Sequence, residues 1–271
     1  RRYAEKSASM SNWTTDHVAN IAVITFDRPP RNFMSFAALG ELSSILESLR
    51  NRDDVSVILL TSSVPGYFVA HADLDDLSRV ARGEPVEGER TAWRTTPSLI
   101  EAMPQPVIAA INGQAWGGGT ELALACTLRV ATPDASFGLP EIAVGMVPGA
   151  GGTQRLPRLI GQGRALELIL SGRKVGAEEA VEIGLINAIL PEDGFLDHAL
   201  DWARRISVHY GPALAANKRA VVDGQRLAFE RGLDLERELV IPRTADPASL
   251  ALRDKLSRRY AEARDTDVIE F

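Results

Sequence analysis

Residues 107–126 read V-I-A-A-I-N-G-Q-A-W-G-G-G-T-E-L-A-L-A-C, and the fold turns on how this run is interpreted. Val107 to Ile111 is an unbroken apolar run closed by Asn112-Gly113, the pattern of a buried strand. Gly117, Gly118 and Gly119 then precede an apolar helix over Glu121 to Cys126. The twenty residues hold one charge, and that length would suit a membrane span. Asn112, Gln114, the three glycines and the carboxylate of Glu121 count against one. The stretch reads instead as strand, glycine turn and helix.

The same alternation extends outward. Ile21 to Phe26 is a second buried strand, ended by Asp-Arg-Pro-Pro. Ala37 to Arg50 carries Leu39, Leu42, Ile45, Leu46 and Leu49 at a helical period, with Ser35 as its N-cap. Val55 to Leu60 is a further strand. Strand, helix, strand in sequence implies parallel pairing and an α/β fold. Arg79 to Thr96 is polar, with Gly83, Pro85 and Gly88; it reads as a mobile loop or weak helix, either a pocket wall or a surface excursion. Helices are expected over Leu196 to Ser207, Ala213 to Val222, Leu233 to Val240 and Ala248 to Ala263. The expected organisation is a core over 11–195, a helical region over 196–271 and a disordered extension over 1–10, with Met10 a candidate natural start.

Composition limits the function classes. The 271 residues, 45% of them hydrophobic, suffice for a substantial core. A net charge of −6 gives no electrostatic reason to expect nucleic acid or an anionic membrane as partner. Cys126 is the single cysteine, so no intrachain disulfide forms. His17, His71, His198 and His209 have no metal-ligand spacing with it, and no metal is expected. The start shows no signal-peptide pattern. These features predict a soluble protein of a reducing, cytoplasmic setting.

Two carboxylates stand out. Glu121 lies in W-G-G-G-T-E-L-A, and Glu141 in F-G-L-P-E-I-A-V-G-M-V-P-G-A-G-G-T. Both are flanked by apolar residues and glycine, with no cation beside them. Burial of a lone carboxylate is costly and raises its pKa. Singly, Glu121 reads equally as a first-turn helix acid and Glu141 as a cap. Together, beside a glycine turn, they point to proton transfer. Glycines at a helix start leave amide N–H groups facing outward, where a developing enolate oxygen would be stabilised; a tight packed turn is the alternative. Tyr67 to Leu74 contains small residues that would leave a second N–H for the same oxygen, although an ordinary strand-to-helix loop explains them too. Losing one such donor typically costs ~2.7–4 kcal/mol of transition-state stabilisation.

At these residues the chain resembles the enoyl-CoA hydratase/isomerase (crotonase) family. The resemblance is carried by residues 109–126, by A-S-F-G-L-P-E-I-A-V-G-M-V-P-G-A-G-G-T-Q-R-L-P-R-L-I-G over 135–161, by F-D-R-P-P-R-N-F-M-S over 26–35 and by A-H-A-D-L over 70–74. It runs from about Ile21 to the C-terminal helices. It implies a spiral of repeated ββα units with a C-terminal helical region for trimer contacts, as a homotrimer or dimer of trimers. It implies an acyl-CoA thioester as substrate, with CoA part of that substrate and no further cofactor, and a place in fatty-acid β-oxidation. By position, Glu121 and Glu141 match the two glutamates that hydratases use together. Ala72 and Gly118 match the backbone N–H pair of the oxyanion hole. Ala70, His71, Asp73 and Leu74 match the CoA-binding loop, and Pro30 and Arg31 fall near the phosphates. The implied activity is hydration of trans-2-enoyl-CoA.

Three positions depart from the family pattern or extend it. His71 stands where glycine is usual, either pointing outward or touching ligand. Asp75 stands where many members have lysine, which puts one ion pair to the nucleotide in doubt. Trp116 reads as an acyl-pocket wall or as core. Enoyl-CoA isomerase is the nearest rival and needs mainly the Glu141 position; decarboxylases and dehalogenases of the family arrange other residues around the same hole. RNA binding, known in some members through a lysine-rich first helix, is disfavoured because Ala37 to Arg50 has no lysine. Nicotinamide dinucleotide binding fails because the glycines lack G-x-G-x-x-G spacing.

Overall fold

Through the middle of this chain, successive strands are dealt alternately into two sheets. In the computed structural model, which describes residues 11–263, β1 (Trp13–Val18) and β2 (Ile21–Phe26) form an antiparallel pair, and α1 (Phe36–Leu49) follows. Then come β3 (Val57–Ser62), β4 (Gly66–Val69), α2 (Leu74–Ala81) and α3 (Ala92–Ala102). The next turn is β5 (Val107–Ile111), β6 (Gly113–Trp116) and α4 (Gly118–Ala125). It is followed by β7 (Leu128–Ala131), β8 (Ser136–Gly138), a 3₁₀ turn over Pro140–Val144, α5 (Gly152–Ile160) and α6 (Gln162–Ser171). The unit closes with β9 (Val175–Gly176), α7 (Ala177–Glu182), β10 (Ala188–Ile189) and α8 (Phe195–Ser207). The larger sheet has the order β1-β2-β3-β5-β7-β10 and the smaller β4-β6-β8-β9. From β3 to β8 each ββα repeat thus gives its first strand to the larger sheet and its second to the smaller, and like strands pair in parallel, β3 with β5 with β7 and β4 with β6 with β8, whereas β1 and β2 both lie in the larger sheet. This is the expected α/β spiral. The expected extension over 1–10 lies outside the described residues.

The continuous apolar strands are explained by burial on both faces, as parallel sheets require. Ala22, Ile24, Phe26, Ile58, Leu60, Ala109 and Ile111 face the main core with α1, α4 and the smaller sheet. Their neighbours Ile21, Val23, Val57, Leu59, Ile108 and Ala110 face the other way, onto Phe195, Ala199, Leu200 and Ala203 of α8. The helix that opens the expected C-terminal region is therefore a layer of the first compact unit, which ends at Val208, and the second unit begins at His209. That second unit contains α9 (Gly211–Gly224), α10 (Phe229–Ala245) and α11 (Pro247–Glu262). Asp246 caps α11 by accepting from the Ala248 and Ser249 amides.

Local signals act as read. Ser35 caps α1 by accepting from the Ala38 amide at 3.1 Å. The polar segment 79–96 resolves into the end of α2, a loop and the start of α3. That loop is anchored: Gly88 has φ +90, and a Cβ there would lie 2.7 Å from the backbone of Ala37. Buried Thr96 then ties α3 to α1 through the Leu39 carbonyl (3.2 Å) and the Ser43 hydroxyl (2.8 Å).

Candidate active site

Of the three glycines read as preceding a helix, Gly118 and Gly119 in fact open its first turn. α4 starts at Gly118, and Gly117 with φ +51 is its cap. Close approach accounts for Gly119, since a Cβ there would sit 2.0 Å from the Val69 carbonyl oxygen. The first amides of a helix have no intrahelical acceptor, and among the described residues no hydrogen bond uses the Gly118 N–H.

A second amide lies alongside. Past β4 the chain keeps pairing with β6, the Trp116 amide donating to the Ala70 carbonyl at 3.2 Å. Ala72 then bridges Met34 in parallel: Met34 donates to the His71 carbonyl (2.9 Å) and accepts from the Asp73 amide (2.8 Å). That register turns the N–H and C=O of Ala72 away from Met34. Its C=O meets His71 Nδ1 at 2.6 Å, while no hydrogen bond among the described residues uses its N–H.

Glu121 is in the first turn of α4, buried at 3% exposure. Its Oε1 accepts from the amides of Ala150 (2.7 Å) and Gly152 (2.8 Å). A Cβ on Gly152 would lie 3.0 Å from that oxygen and 2.9 Å from Leu139 Cδ1, so a side chain there would press on the Glu121 carboxylate. The turn is held from behind by Arg155, which donates to the Ala150 carbonyl and pairs with both oxygens of Glu101. Burial pushes the Glu121 carboxyl up to about 7, and the nearby charge of Glu141 adds to this, against the two amide hydrogen bonds.

Glu141 projects from the 3₁₀ turn after β8, beside the α4 cap. A Cβ on Gly117 would be 2.9 Å from its Oε1 and 4.0 Å from the His71 Cβ. Its Oε2 is buried with no hydrogen-bond partner. Burial raises its pKa too, with the Lys174 ammonium pulling the other way. Lys174 itself lies 4.3 Å above the Trp116 ring. Two carboxylates with raised pKa values, one of them holding an unpartnered oxygen, thus flank two unbonded amides. Such a site can move a proton next to a carbonyl whose oxygen takes negative charge.

The remaining positions singled out in the sequence divide between this site and its rim. Pro30 and Arg31 are exposed on the loop after β2. Buried Asn32, at φ +52, pins that loop through Ser62 Oγ (2.6 Å) and the Phe68 carbonyl (3.1 Å). The His71 ring does not point away into solvent; it is half-buried and stacks on Phe33 with centroids 4.4 Å apart. The Asp73 carboxylate is engaged by Arg28 at 2.9 Å and caps α2. Ala70 is buried, and Leu74 is exposed at the start of α2. Trp116 belongs to neither core cluster: its Nε1 donates to Ser136 Oγ at 3.0 Å on the outer face of the smaller sheet. Trp93, Lys174, Asn32 and Arg155 are the residues sequence reasoning missed. Asn32, inside the matched segment 26–35, and Arg155, inside the matched segment 135–161, carried a signal; Trp93 and Lys174 did not. Among the described residues no group of three or more His, Cys, Asp or Glu side chains is placed to hold a metal.

Comparison with known proteins identifies the family of the chain and of its fold. The sequence profile described as enoyl-CoA hydratase/isomerase matches residues 16–267. The putative enoyl-CoA hydratase/isomerase YngF of Bacillus subtilis is 41% identical over 220 residues, covering 81% of this chain and 84% of that protein. The 2,3-dehydroadipyl-CoA hydratase of Escherichia coli is 37% identical over 234 residues, 85% of this chain and 89% of that one. The crystal structure of an enoyl-CoA hydratase from Bacillus anthracis superposes with a TM-score of 0.85 at 38% identity, covering 92% of this chain and 96% of that one. By its sequence, its two-sheet spiral and these likenesses, the chain belongs to the enoyl-CoA hydratase/isomerase family.

Proposed function

We propose that this protein hydrates a trans-2-enoyl-CoA to the 3-hydroxyacyl-CoA. The observation that carries the reading is the convergence of Glu121 and Glu141, both with raised pKa, beside the unused amides of Ala72 and Gly118. The thioester oxygen lies between those two N–H groups. The carboxylates hold one water. Deeper burial favours the pair's single proton on Glu121 in the empty site, and the bridging water lets it pass to Glu141. Glu121 then takes a proton from the water as its oxygen bonds to the β-carbon. The alkene electrons move onto the thioester oxygen as an enolate, and Glu141 gives its proton to the α-carbon as the enolate collapses. The amides act where charge develops, so they favour the transition state over the substrate. No cofactor enters beyond the CoA of the substrate.

A place for this reaction in acyl-chain oxidation is supported by the proposed 3-hydroxyacyl product and by the names of relatives. The CoA moiety runs along Pro30 and Arg31 and over Ala70, His71, Asp73 and Leu74, where Asp73 contributes backbone because its carboxylate is held by Arg28. Trp116 lines the mouth near Glu141. Assembly as a homotrimer or a dimer of trimers is supported by apolar residues left open on α10, Phe229 at 76% and Ile241 at 62% exposure. No helix of the described residues is long and apolar enough to cross a membrane, and we place the enzyme in the cytoplasm. The test follows crotonyl-CoA and a 3-enoyl-CoA side by side. Loss of conjugated-enoyl absorbance with the first supports hydration. Its appearance with the second and none lost with the first would assign isomerisation instead. Glu141→Gln should lower crotonyl-CoA turnover by roughly 10²–10⁴-fold while binding persists.

A further inference from the structure

The Gly118 amide has an aromatic neighbour that no sequence motif announced. A Cβ built on Gly118 would lie 2.4, 2.6 and 3.1 Å from Cη2, Cζ3 and Cζ2 of Trp93. The far edge of the indole therefore rests on the Cα of Gly118. Trp93 is half-buried, packed on the main core along one side and open on the other. Its support is rigid. Ala92, Thr96, Pro97 and Ile100 of α3 are buried, Thr96 is bonded to α1, and Gly88 anchors the loop that leads in. Moving the Trp93 backbone away would mean lifting α3 from α1. Glu141 stands on the Gly117 side of the same turn and Trp93 on the Gly118 side.

We propose that Trp93 is a specificity-determining residue that closes the acyl end of the site and restricts it to short acyl groups. The inference rests on the proposed role of the Gly118 amide as a donor to the thioester oxygen. A carbonyl held there puts its acyl chain within a few atoms of the indole edge, and a fixed ring gives no room for a chain that turns toward it. Trp116, on the outer face of the smaller sheet, does not perform this task.

Binding separates this idea from the chemistry. Affinities of butyryl-CoA, decanoyl-CoA and free CoA are measured by titration calorimetry for the wild type, Trp93→Phe and Trp93→Ala. The wild type should prefer butyryl-CoA to decanoyl-CoA. Trp93→Ala should shift the decanoyl-to-butyryl affinity ratio toward the longer chain by roughly tenfold or more, the scale of discrimination for small changes in an apolar pocket, with Trp93→Phe between. A ratio unmoved in Trp93→Ala, with butyryl-CoA still bound more tightly than free CoA, would overturn this inference alone. Butyryl-CoA bound no better than free CoA would overturn it together with the reading of Gly118. Should Trp93→Ala not fold, the wild type decides, because equal or tighter binding of decanoyl-CoA would refute a closed acyl end.

Discussion

Replacing Glu121 by glutamine should make the protein more stable in alkaline solution while abolishing its proposed chemistry. The side chain is buried, and its carboxyl is raised from the ordinary 4.5 to about 7, chiefly by loss of solvent. Between those values the folded chain keeps a proton that the unfolded chain has released. Stability therefore falls as pH rises across that window and levels off above the folded pKa. At about 1.4 kcal/mol per pKa unit, the ionised carboxylate costs the folded state about 3 kcal/mol. Glutamine keeps an oxygen for the amides of Ala150 and Gly152 and carries no charge. Thermal denaturation of both proteins at about pH 4.5 and about pH 8 reads the difference. Titrating groups not coupled to Glu121 cancel in the comparison; Glu141, whose charge it feels, does not. The variant should gain roughly 6–12 °C relative to the wild type on going to the higher pH. An offset that is the same at both pH values would refute the claim that a buried, uncompensated charge sits at this position.

Three further outcomes follow from the same geometry. The hydration rate constant kcat/KM should be bell-shaped in pH, because the working pair holds one proton; its descending limb should lie at or above pH 7, where Glu121 would lose that proton, and a sigmoid rising without limit would count against the pair. Gly152→Ala places a methyl 3.0 Å from Glu121 Oε1; it should cut turnover at least tenfold, by order of magnitude, with a smaller change in KM, since it displaces a reacting group. Arg129 is 6% exposed and donates to the carbonyls of Leu185, Ala123 and Cys126. Arg129→Ala strands those acceptors and should lower unfolding free energy by about 3–5 kcal/mol in urea, whereas a change under about 1 kcal/mol would argue against a structural role.

The parts of this fold that were legible in the sequence are those where one physical effect dominates. Ile21 to Phe26 and Val107 to Ile111 are apolar throughout because both faces of the larger sheet are covered, and their strand boundaries were read to the residue. The Ser35 cap was legible because a hydroxyl before an amphipathic run has few other uses. The edge strand Trp13–Val18 was not, since four of its six residues are exposed and polarity hid it. The strands of the smaller sheet are two to four residues long, too short for a period to emerge. At the site, Glu121 and Glu141 were visible because charge in apolar surroundings is rare. Trp93 was invisible because it comes from a polar segment, and only the tertiary approach of α3 to the start of α4 brings it to Gly118. His71 shows the limit from the other side. The substitution was apparent in the sequence, but its stacking on Phe33 depends on a loop pinned by Asn32 from a distant part of the chain.

The central claim is that two main-chain amides grip a thioester while two carboxylates face its reacting carbons. A crystal structure with a bound acyl-CoA tests it most directly. The thioester oxygen should lie about 2.7–3.1 Å from the amide nitrogens of both Ala72 and Gly118, with Glu121 and Glu141 on the same side of the α- and β-carbons. An oxygen held by other groups, or an acyl chain leading away from the two carboxylates, would contradict it.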